Sequence, residues 1–397
     1  MDNQNDVPLQ GIKNYMLLFF KIIFLAINGL FLYKYGIRQN SISPFLLIAI
    51  YAIIAFFLLS RNIFEYSFLK KIAVKRYYIL FCIFFALILF LITFFTDGNS
   101  LNVDRWSAMD VAIRALLNGE YPYTATDHLN GRTSNFPGLL ILGIPFYLLG
   151  NVGYFQVFAF VLLAYTLYKY LNISQAFHYI LLLIIAPAYW WEIFAISDLI
   201  SNIILVMCFI ILLKQGLKNI FQYPILLGIS TSFLVLTRGI VAIPLVLLLF
   251  KDFWKISLTD KIKYVSSFTV TFAILVSLVL FNCPDWNTLK FYNPLVLQAH
   301  ALPTYIHLIA LALPFILAFR IRSFDVDFFR FSALLMLFPT IVAFLIVCYR
   351  FGDLRFDLSY LSIVIPFMLF EIVKTKKREI KINYRKQQHY QSTDSIL

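Results

Sequence analysis

Apolar runs of about 20 residues follow one another almost from end to end of the sequence. A hydrocarbon core about 30 Å thick requires roughly 20 apolar residues for each helical span. The composition agrees, because 61% of the residues are hydrophobic, 13% are charged and the mean hydropathy is +0.82, whereas about a quarter of a soluble domain is charged. The sequence therefore predicts an all-α, polytopic integral membrane protein.

We predict about twelve membrane segments in a single domain spanning residues 1–397. They lie near residues 15–33, 44–60, 77–95, 152–168, 176–191, 198–213, 223–236, 239–250, 264–282, 303–319, 331–348 and 358–373. Two of them, 223–236 and 239–250, are short for complete spans. They form either one long tilted helix or a broken, re-entrant pair that pivots at Arg238-Gly239.

The positive charges orient the chain, because short cytoplasmic loops collect Lys and Arg. The loops that are rich in these residues alternate with poorer ones and contain Arg61 to Arg76, Lys214 and Lys218, Lys251 to Lys263, and Arg320 to Arg330, followed by a basic tail over 374–397. We therefore expect a multi-pass protein of a bacterial inner or plasma membrane with both termini in the cytoplasm. This orientation accounts for most of the net charge of +13 without a nucleic-acid partner.

The remaining ionisable residues gather on the opposite, external side. The external segments are the long loop 96–151, the turns 191–197 and 237–239, the loop 282–302 and the stretch 349–357. The sequence has no disulfide framework, no CxxC metal pair and no nucleotide-binding loop, and its cytoplasmic loops are too small to hold a soluble nucleotide cofactor. The substrate is therefore expected to arrive from the membrane or from outside.

The loop 96–151 contains a charged stretch with helical periodicity. Its polar positions are Asp104, Ser107, Asp110, Arg114 and Asn118, and its apolar positions are Trp106, Met109, Ile113, Leu116 and Leu117. This pattern predicts an interfacial helix with its apolar side towards the membrane, ending at Asn118-Gly119. The apolar stretch from Leu139, interrupted by Pro145, predicts a second interfacial or re-entrant helix.

The order of these motifs resembles the GT-C class of integral-membrane glycosyltransferases, which use polyprenyl-phosphate sugars. The matching residues are Asp104, Gly119-Glu120-Tyr121-Pro122-Tyr123 and Phe136-Pro137-Gly138-Leu139, followed by "AISDLISN" with Asp198, "LTRGIVAIP" with Arg238 and "RFDLSYLSIVIPF" with Arg355. The resemblance covers most of the chain from about residue 77. The sequence departs from the class in having two extra spans within residues 1–76, and in having Arg105 where many members have a second acidic residue after the first.

The resemblance implies an inverting hexosyltransferase, a mannosyltransferase being one candidate. It would move a hexose from a polyprenyl-phosphate donor to a lipid or cell-surface glycan on the external face. Such a reaction needs a base for the acceptor hydroxyl and cations for the departing phosphate. We predict Asp104 as the base, with Asp97 second, and Arg238 and Arg355 as phosphate ligands, with Arg350 in reserve. The predicted acceptor-binding or substrate-binding residues are Asp198, Tyr123, His128 and His300.

Several of these residues also have a purely structural interpretation. Asp104 and Asp198 each precede a helix and could cap it. Arg355 could pair with Asp353 or Asp357, and Arg114 with Asp110 at i, i+4. His128 and His300 could be solvated loop residues.

Metal dependence and the class of activity also have alternatives. No ligand spacing requires a metal, and no cofactor is assigned, although Asp97, Asp104, Asp198 and Asp285 could assemble a divalent-cation site. The alternative function is a transporter or flippase for a lipid-linked glycan. That function predicts inverted repeats and polar residues spread through the middle of several helices.

Overall fold

The computed structural model describes residues 6–299, 302–355 and 358–374, and this part of the chain is helical and contains no β-strand. His300 and the predicted tail from residue 375 onwards lie outside the described residues. The longer helices are α1 (Asp6–Gly36), α2 (Pro44–Ser60), α3 (Lys75–Phe95), α4 (Arg105–Leu117), α5 (Pro137–Leu148), α6 (Tyr154–Tyr170), α7 (Ile173–Ile184), α8 (Pro187–Phe194), α9 (Leu199–Gly216), α10 (Pro224–Val235), α11 (Ala242–Phe253), α12 (Leu258–Leu280), α13 (Thr304–Ala318), α14 (Phe329–Phe351) and α15 (365–374).

Five of these helices are long and apolar enough to cross a membrane. They are Tyr15–Gly36 of α1, α3, α9, α12 and the stretch Phe324–Phe351 that contains α14. The bent pair α7 and α8 passes the same test when it is taken as one span, which makes six. All twelve predicted segments coincide with helical structure, and the chain is a helical protein of membrane type.

One predicted span, 176–191, is a broken helix. The chain bends by 67° between α7 and α8. Pro187 starts the second helix, where its fixed φ and missing N–H are tolerated, whereas inside a continuous helix they would remove a hydrogen bond. The backbone N–H of Ala188, in the first turn of α8, donates to Asn28 Oδ1 at 3.0 Å. The predicted segment 176–191 is therefore helical, but it is divided into two helices by this bend.

The neighbouring pair, α10 and α11, consists of two separate helices. Arg238 lies between them in an extended conformation, with φ −157° and ψ 136°. The two helices also have different partners, because α10 packs against α12 and α11 packs against α13. Of the two alternatives predicted for this region, the single long helix is wrong and the break at Arg238-Gly239 is confirmed.

The polar segments form two sets at opposite ends of the bundle. At one end, which we call the loop face (residues 96–151, 195–198, 236–239, 282–299 and 353–355), Tyr121 donates to the carbonyl of Tyr292 at 2.8 Å. At the other end, the lysine face (residues 61–75, 170–173, 214–223, 251–261 and 319–325), Lys251 Nζ donates to the carbonyl of Ile321 at 3.0 Å. The long helices α3, α6, α9 and α14 each run from one set to the other.

The long loop forms a second small core beside the bundle. The helices α4 and α5 pack on each other over buried side chains that include Met109, Ile113, Leu139 and Leu140. Gly143 permits this contact, because a Cβ there would lie 2.3 Å from Met109 Cε. The predicted end of α4 is confirmed, since Gly119 has φ +76° just after the helix.

The helix α4 differs from the predicted interfacial helix in one respect. Only part of its polar face is solvated, because Ser107 and Asp110 are buried along with the apolar side, whereas Arg114 and Asn118 are exposed. The chain after α4 folds back over this face, and His128 Nδ1 lies 2.6 Å from Ser107 Oγ. Helical periodicity identifies the two faces of a helix, but it does not reveal that a later loop covers the polar one.

Candidate functional site

A buried ion pair joins two of the predicted residues. Arg238 Nε donates to Asp198 Oδ2 at 3.1 Å, Nη2 of the same guanidinium also contacts that oxygen, and the two side chains are only 6% and 7% exposed. Asp198 precedes α9 but makes no capping hydrogen bond with its side chain. Its carboxylate is therefore used to hold Arg238 and not to cap the helix.

Polar side chains of two helices hold this ion pair in place. Gln156 Nε2, on α6, donates to the carbonyls of Glu192 and Ser197 at 2.7 and 2.8 Å, which fixes the turn that leads to Asp198. Asn202 Nδ2, on α9, donates to Thr237 Oγ1 at 3.0 Å. The start of α9 is thus tied to the residue directly before Arg238.

The long loop reaches the same place through its Phe136-Pro137-Gly138 motif. The backbone N–H of Gly138 donates to the carbonyl of Leu236 at 2.8 Å. A Cβ on Gly138 would lie 2.6 Å from the carbonyl oxygen of Phe233, so no larger residue fits without a shift of backbone. Phe136 lies beside Gly239. Two motifs about 100 residues apart in the sequence are therefore in direct contact.

Arg105 is a functional candidate that the sequence analysis did not select. Its guanidinium lies over the ring of Tyr360, 5.1 Å from the centroid, and its Nη1 and Nη2 are 3.4 and 3.5 Å from the hydroxyls of Tyr360 and Ser359. Burial alone would lower the pKa of this guanidinium. The hydrogen bond to Tyr360 and the negative charges of Asp104 and Asp198 outweigh burial and raise the pKa. Arg105 therefore lies within the electrostatic reach of both predicted carboxylates.

Asp104 is available for chemistry. It occupies the position before α4 without a capping hydrogen bond from its side chain, and that side chain is 45% exposed. Its Oδ1 lies 4.0 Å from Arg105 Nε. The cap interpretation thus gains no support, and the carboxylate stands beside the Arg105 guanidinium.

Asp97, the second candidate base, is engaged in a local turn. Its Oδ1 accepts a hydrogen bond from the backbone N–H of Asn99 at 3.0 Å, and its side chain is otherwise exposed. This is the usual capping role of an aspartate.

The other two predicted phosphate ligands are at the surface. Arg355 is bound by Asp353, with Nε to Oδ2 at 2.7 Å, which is the local pairing given as its alternative role. Hydrogen bonds from Arg355 lower the pKa of the Asp353 carboxyl. Arg350 is exposed in the last turn of α14. The described contacts bring neither guanidinium to the Asp198–Arg238 pair.

The predicted acceptor residues are used inside the loop. Tyr123 is fully buried, and its hydroxyl donates to the carbonyl of Asn135 at 3.0 Å. His128 is bound on both nitrogens, since Nε2 lies 2.7 Å from the carbonyl oxygen of Leu101 while Nδ1 contacts Ser107. These contacts shape the loop that covers α4.

Two further acids, Glu192 and Glu371, are buried, and one of them is paired with a buried arginine. Glu192 is fully buried, and its Oε1 accepts hydrogen bonds from the backbone N–H and the hydroxyl of Ser201 at 2.9 and 3.0 Å. Arg330, predicted to be a loop cation, is instead buried in α14 and donates to Glu371 Oε1 through Nη2 at 2.7 Å. A charged residue within an apolar stretch is the signal that could have identified both.

The carboxylates do not assemble a metal site. Within residues 6–299, 302–355 and 358–374, no three His, Cys, Asp or Glu side chains come close enough together to hold a metal ion. Asp97, Asp104, Asp198 and Asp285 therefore do not form the cation site that was considered from the sequence. Asp285 instead caps a short helix, accepting from the backbone N–H of Thr288 at 2.8 Å.

No protein-family model, curated protein or solved structure matches the chain. The loop face contains the acid–base pairs Asp104 with Arg105 and Asp198 with Arg238.

Proposed function

We propose that the chain is a membrane glycosyltransferase that moves a hexose from a polyprenyl-phosphate donor to a lipid or cell-surface glycan acceptor. The observation that supports this most is the combination of a half-exposed carboxylate, Asp104, with two guanidinium groups, Arg105 and Arg238, at one end of an apolar bundle. A base and a set of phosphate-binding cations are what this transfer requires. Mannose is one candidate for the hexose.

Asp104 is the base in this proposal. It takes the proton of the acceptor hydroxyl while the hydroxyl oxygen forms a bond to the anomeric carbon. The bond between that carbon and the phosphate oxygen breaks, and its electron pair leaves with the lipid phosphate, so the configuration inverts. Arg105 Nε lies 4.0 Å from Asp104 Oδ1, so the proposed base and a cation stand side by side.

Arg238 and Arg105 are the phosphate ligands. Asp198 occupies the Nε and Nη2 edge of Arg238, which leaves Nη1 for a phosphate oxygen. Asp198 is thus a positioning residue for Arg238 and not an acceptor ligand. Arg105 replaces Arg355 and Arg350 in this role, because those two are held at the surface.

The proposal includes the twelve-span topology with the loop face outside and both termini inside the cell. The sorting of polar contacts into a loop face and a lysine face supports it. The lysine-rich loops would then lie in the cytoplasm, as the positive-inside rule requires. The polyprenyl carrier and a lipid acceptor would reach the site from the bilayer.

A transporter for a lipid-linked glycan is the second candidate. The buried Arg330–Glu371 pair favours it, because this pair is far along α14 from the loop face and the transfer reaction does not use it. Buried charges at more than one depth are typical of transport pathways. A transporter would move the lipid-linked sugar without breaking its bond to phosphate.

The test is transfer of radiolabelled hexose from synthetic polyprenyl-phosphate hexoses to membrane lipid and glycan fractions by the purified protein in detergent. We expect label to move with the native protein and to be lost in Asp104→Asn. Asp285→Asn is the matched control, since it removes an exposed carboxylate of the loop face that only caps a short helix. Retention of transfer in Asp104→Asn would show that another residue is the base. No transfer from any carrier, with movement of intact lipid-linked sugar across vesicles, would establish the transporter.

A further inference from the structure

A cleft opens on the lysine face, at the end of the bundle opposite Asp104. Its volume is about 450 Å³, and it lies between the connection from α9 to α10 and the connection from α11 to α12. Its walls contain three lysines and two aspartates, together with small polar and apolar groups. The lining residues are Lys214, Lys218, Asn219, Ile220, Phe221, Asp252, Lys255, Ile256, Ser257 and Asp260.

The charge of this cleft is positive after local pairing is counted. Asp252 is 3.2 Å from Lys255 Nζ, and Asp260 is 3.9 Å from Lys263 Nζ. Lys214 and Lys218 are exposed on the facing wall, and neither is within ion-pair distance of a carboxylate among the described residues. The wall formed by the end of α9 therefore carries two positive charges that the protein does not neutralise.

An exposed apolar surface begins at the edge of the same cleft. The helix α12 starts at Leu258. Only 6% of its most apolar 18-residue stretch is buried in the protein, which is the lowest share among the five candidate spans. Leu258, Ile262 and Val265 are 73%, 58% and 48% exposed, and Trp254, on the preceding turn, is 58% exposed. A ligand that fits both surfaces has an anionic head and a long apolar body.

We propose that this cleft binds an anionic phospholipid, with its phosphate against Lys214 and Lys218 and its acyl chains along α12. Lysines at the ends of spans attract anionic headgroups, and basic pockets between membrane helices bind them specifically. Asn219 lines the same wall; its side-chain oxygen accepts from the backbone N–H of Phe221, and its amide nitrogen is a further donor for a phosphate oxygen. The proposal is independent of the transferase reaction.

The test is native mass spectrometry of the purified, full-length protein titrated with dioleoyl phosphatidylglycerol and, separately, with dioleoyl phosphatidylcholine. We expect tighter binding of the anionic lipid, with the preference reduced about tenfold in Lys214→Gln/Lys218→Gln. The matched control is Lys70→Gln/Lys71→Gln, which removes the same charge from another loop of the lysine face. This control should keep the native preference.

A second measurement locates the lipid without altering the lysines. Phosphatidylglycerol with brominated chains should quench the fluorescence of Trp254 more than brominated phosphatidylcholine does, and Trp254→Phe should lose this difference. An unchanged preference in the cleft variant, or an equal loss in both double variants, would overturn the proposal. Displacement of the lipid by millimolar inorganic phosphate would show that the cleft binds a soluble anion instead.

Discussion

At the residue scale, the Asp198–Arg238 pair places two charges where solvent scarcely reaches them. Taking such charges out of water costs several kcal/mol for each ion, and their attraction offsets this cost only while both partners are present. Loss of one partner is therefore more damaging than loss of both. This property separates the buried pair from the exposed Arg355–Asp353 pair, where water screens both charges.

We therefore expect Asp198→Asn to lower the free energy of unfolding by about 3 kcal/mol. The double variant Asp198→Asn/Arg238→Gln should be less destabilised than the sum of its two single variants, because no uncompensated charge remains. Thermal unfolding in detergent measures both effects. Asp353→Asn is the control and should leave the unfolding midpoint unchanged. Additive single effects would show that the two charges are not coupled.

Arg105 provides a test of phosphate binding within one helix. Arg105→Lys keeps the charge but loses the planar group that lies on Tyr360, so we expect kcat/KM for sugar transfer to fall by about 10- to 100-fold. Arg114→Lys is the matched control, because Arg114 is exposed on the same helix and pairs with Asp110. Equal activity of the two variants would exclude Arg105 from the site.

Asp110 predicts a pH dependence of stability. Burial raises the pKa of its carboxyl above the ordinary 3.8. Arg114 Nη2 lies 2.5 Å from Asp110 Oδ2, but its charge offsets the effect of burial only in part, because the Arg114 side chain is 58% exposed to solvent. The folded state then binds the proton more tightly than the unfolded state. The contribution of Asp110 to stability is therefore full below pH 3.8 and is lost as the pH rises through the raised pKa.

The variant Asp110→Asn should remove this dependence. Relative to the variant, the native protein should gain stability as the pH is lowered from neutral towards 4, and thermal unfolding of both proteins over this range measures the difference. A difference that stays constant with pH, or that grows in favour of the variant on acidification, would contradict the assignment.

At the element scale, the contact of α5 with α10 and α4 depends on two glycines. A Cβ on Gly138 would meet the backbone at Phe233 and Leu236, and one on Gly143 would meet Met109. We expect Gly138→Ala to destabilise the protein by about 1–3 kcal/mol and to reduce transfer, because it separates the loop from the Arg238 break. Gly143→Ala should cost less, since the Met109 side chain can move.

The control for this prediction is Gly216→Ala at the end of α9. A Cβ there meets no atom within 4 Å, so unfolding and activity should stay native. Thermal unfolding and transfer assays on the three variants measure these differences in stability and activity. Native behaviour of Gly138→Ala would mean that the loop and the break can separate without loss.

The elements themselves could be predicted from sequence, because an apolar run of membrane length specifies a helix in almost any context. The bend at Pro187 could not be placed with the same certainty, since proline is tolerated in many membrane helices. The pairing of Asp198 with Arg238 involves residues 40 positions apart, on different elements. No local pattern encodes such a contact. Arg105 was missed for the same reason, because its partner Tyr360 is 255 positions away.

At the scale of the whole molecule, the separation of polar contacts into two faces predicts a membrane topology. The helices α3, α6, α9 and α14 connect the faces, so the loop that contains Glu120 and the loop that contains Lys218 should lie on opposite sides of the bilayer. Both residues are exposed, and cysteines placed there would react with a water-soluble maleimide. Cys283, the native cysteine that is partly exposed, is first replaced by serine.

We expect a membrane-impermeant maleimide to label Glu120→Cys in intact cells and to label Lys218→Cys only after the membrane is opened. The physical reason is that Lys214, Lys218 and Lys255 gather at one end of the spans, and such residues are retained in the cytoplasm. Labelling of both cysteines in intact cells would place the two faces on one side of the membrane and would remove the basis for the twelve-span arrangement. Labelling of Lys218→Cys alone would show that the protein has the opposite orientation, with Asp104 and Arg238 in the cytoplasm. The sugar donor would then have to reach them from the inner leaflet.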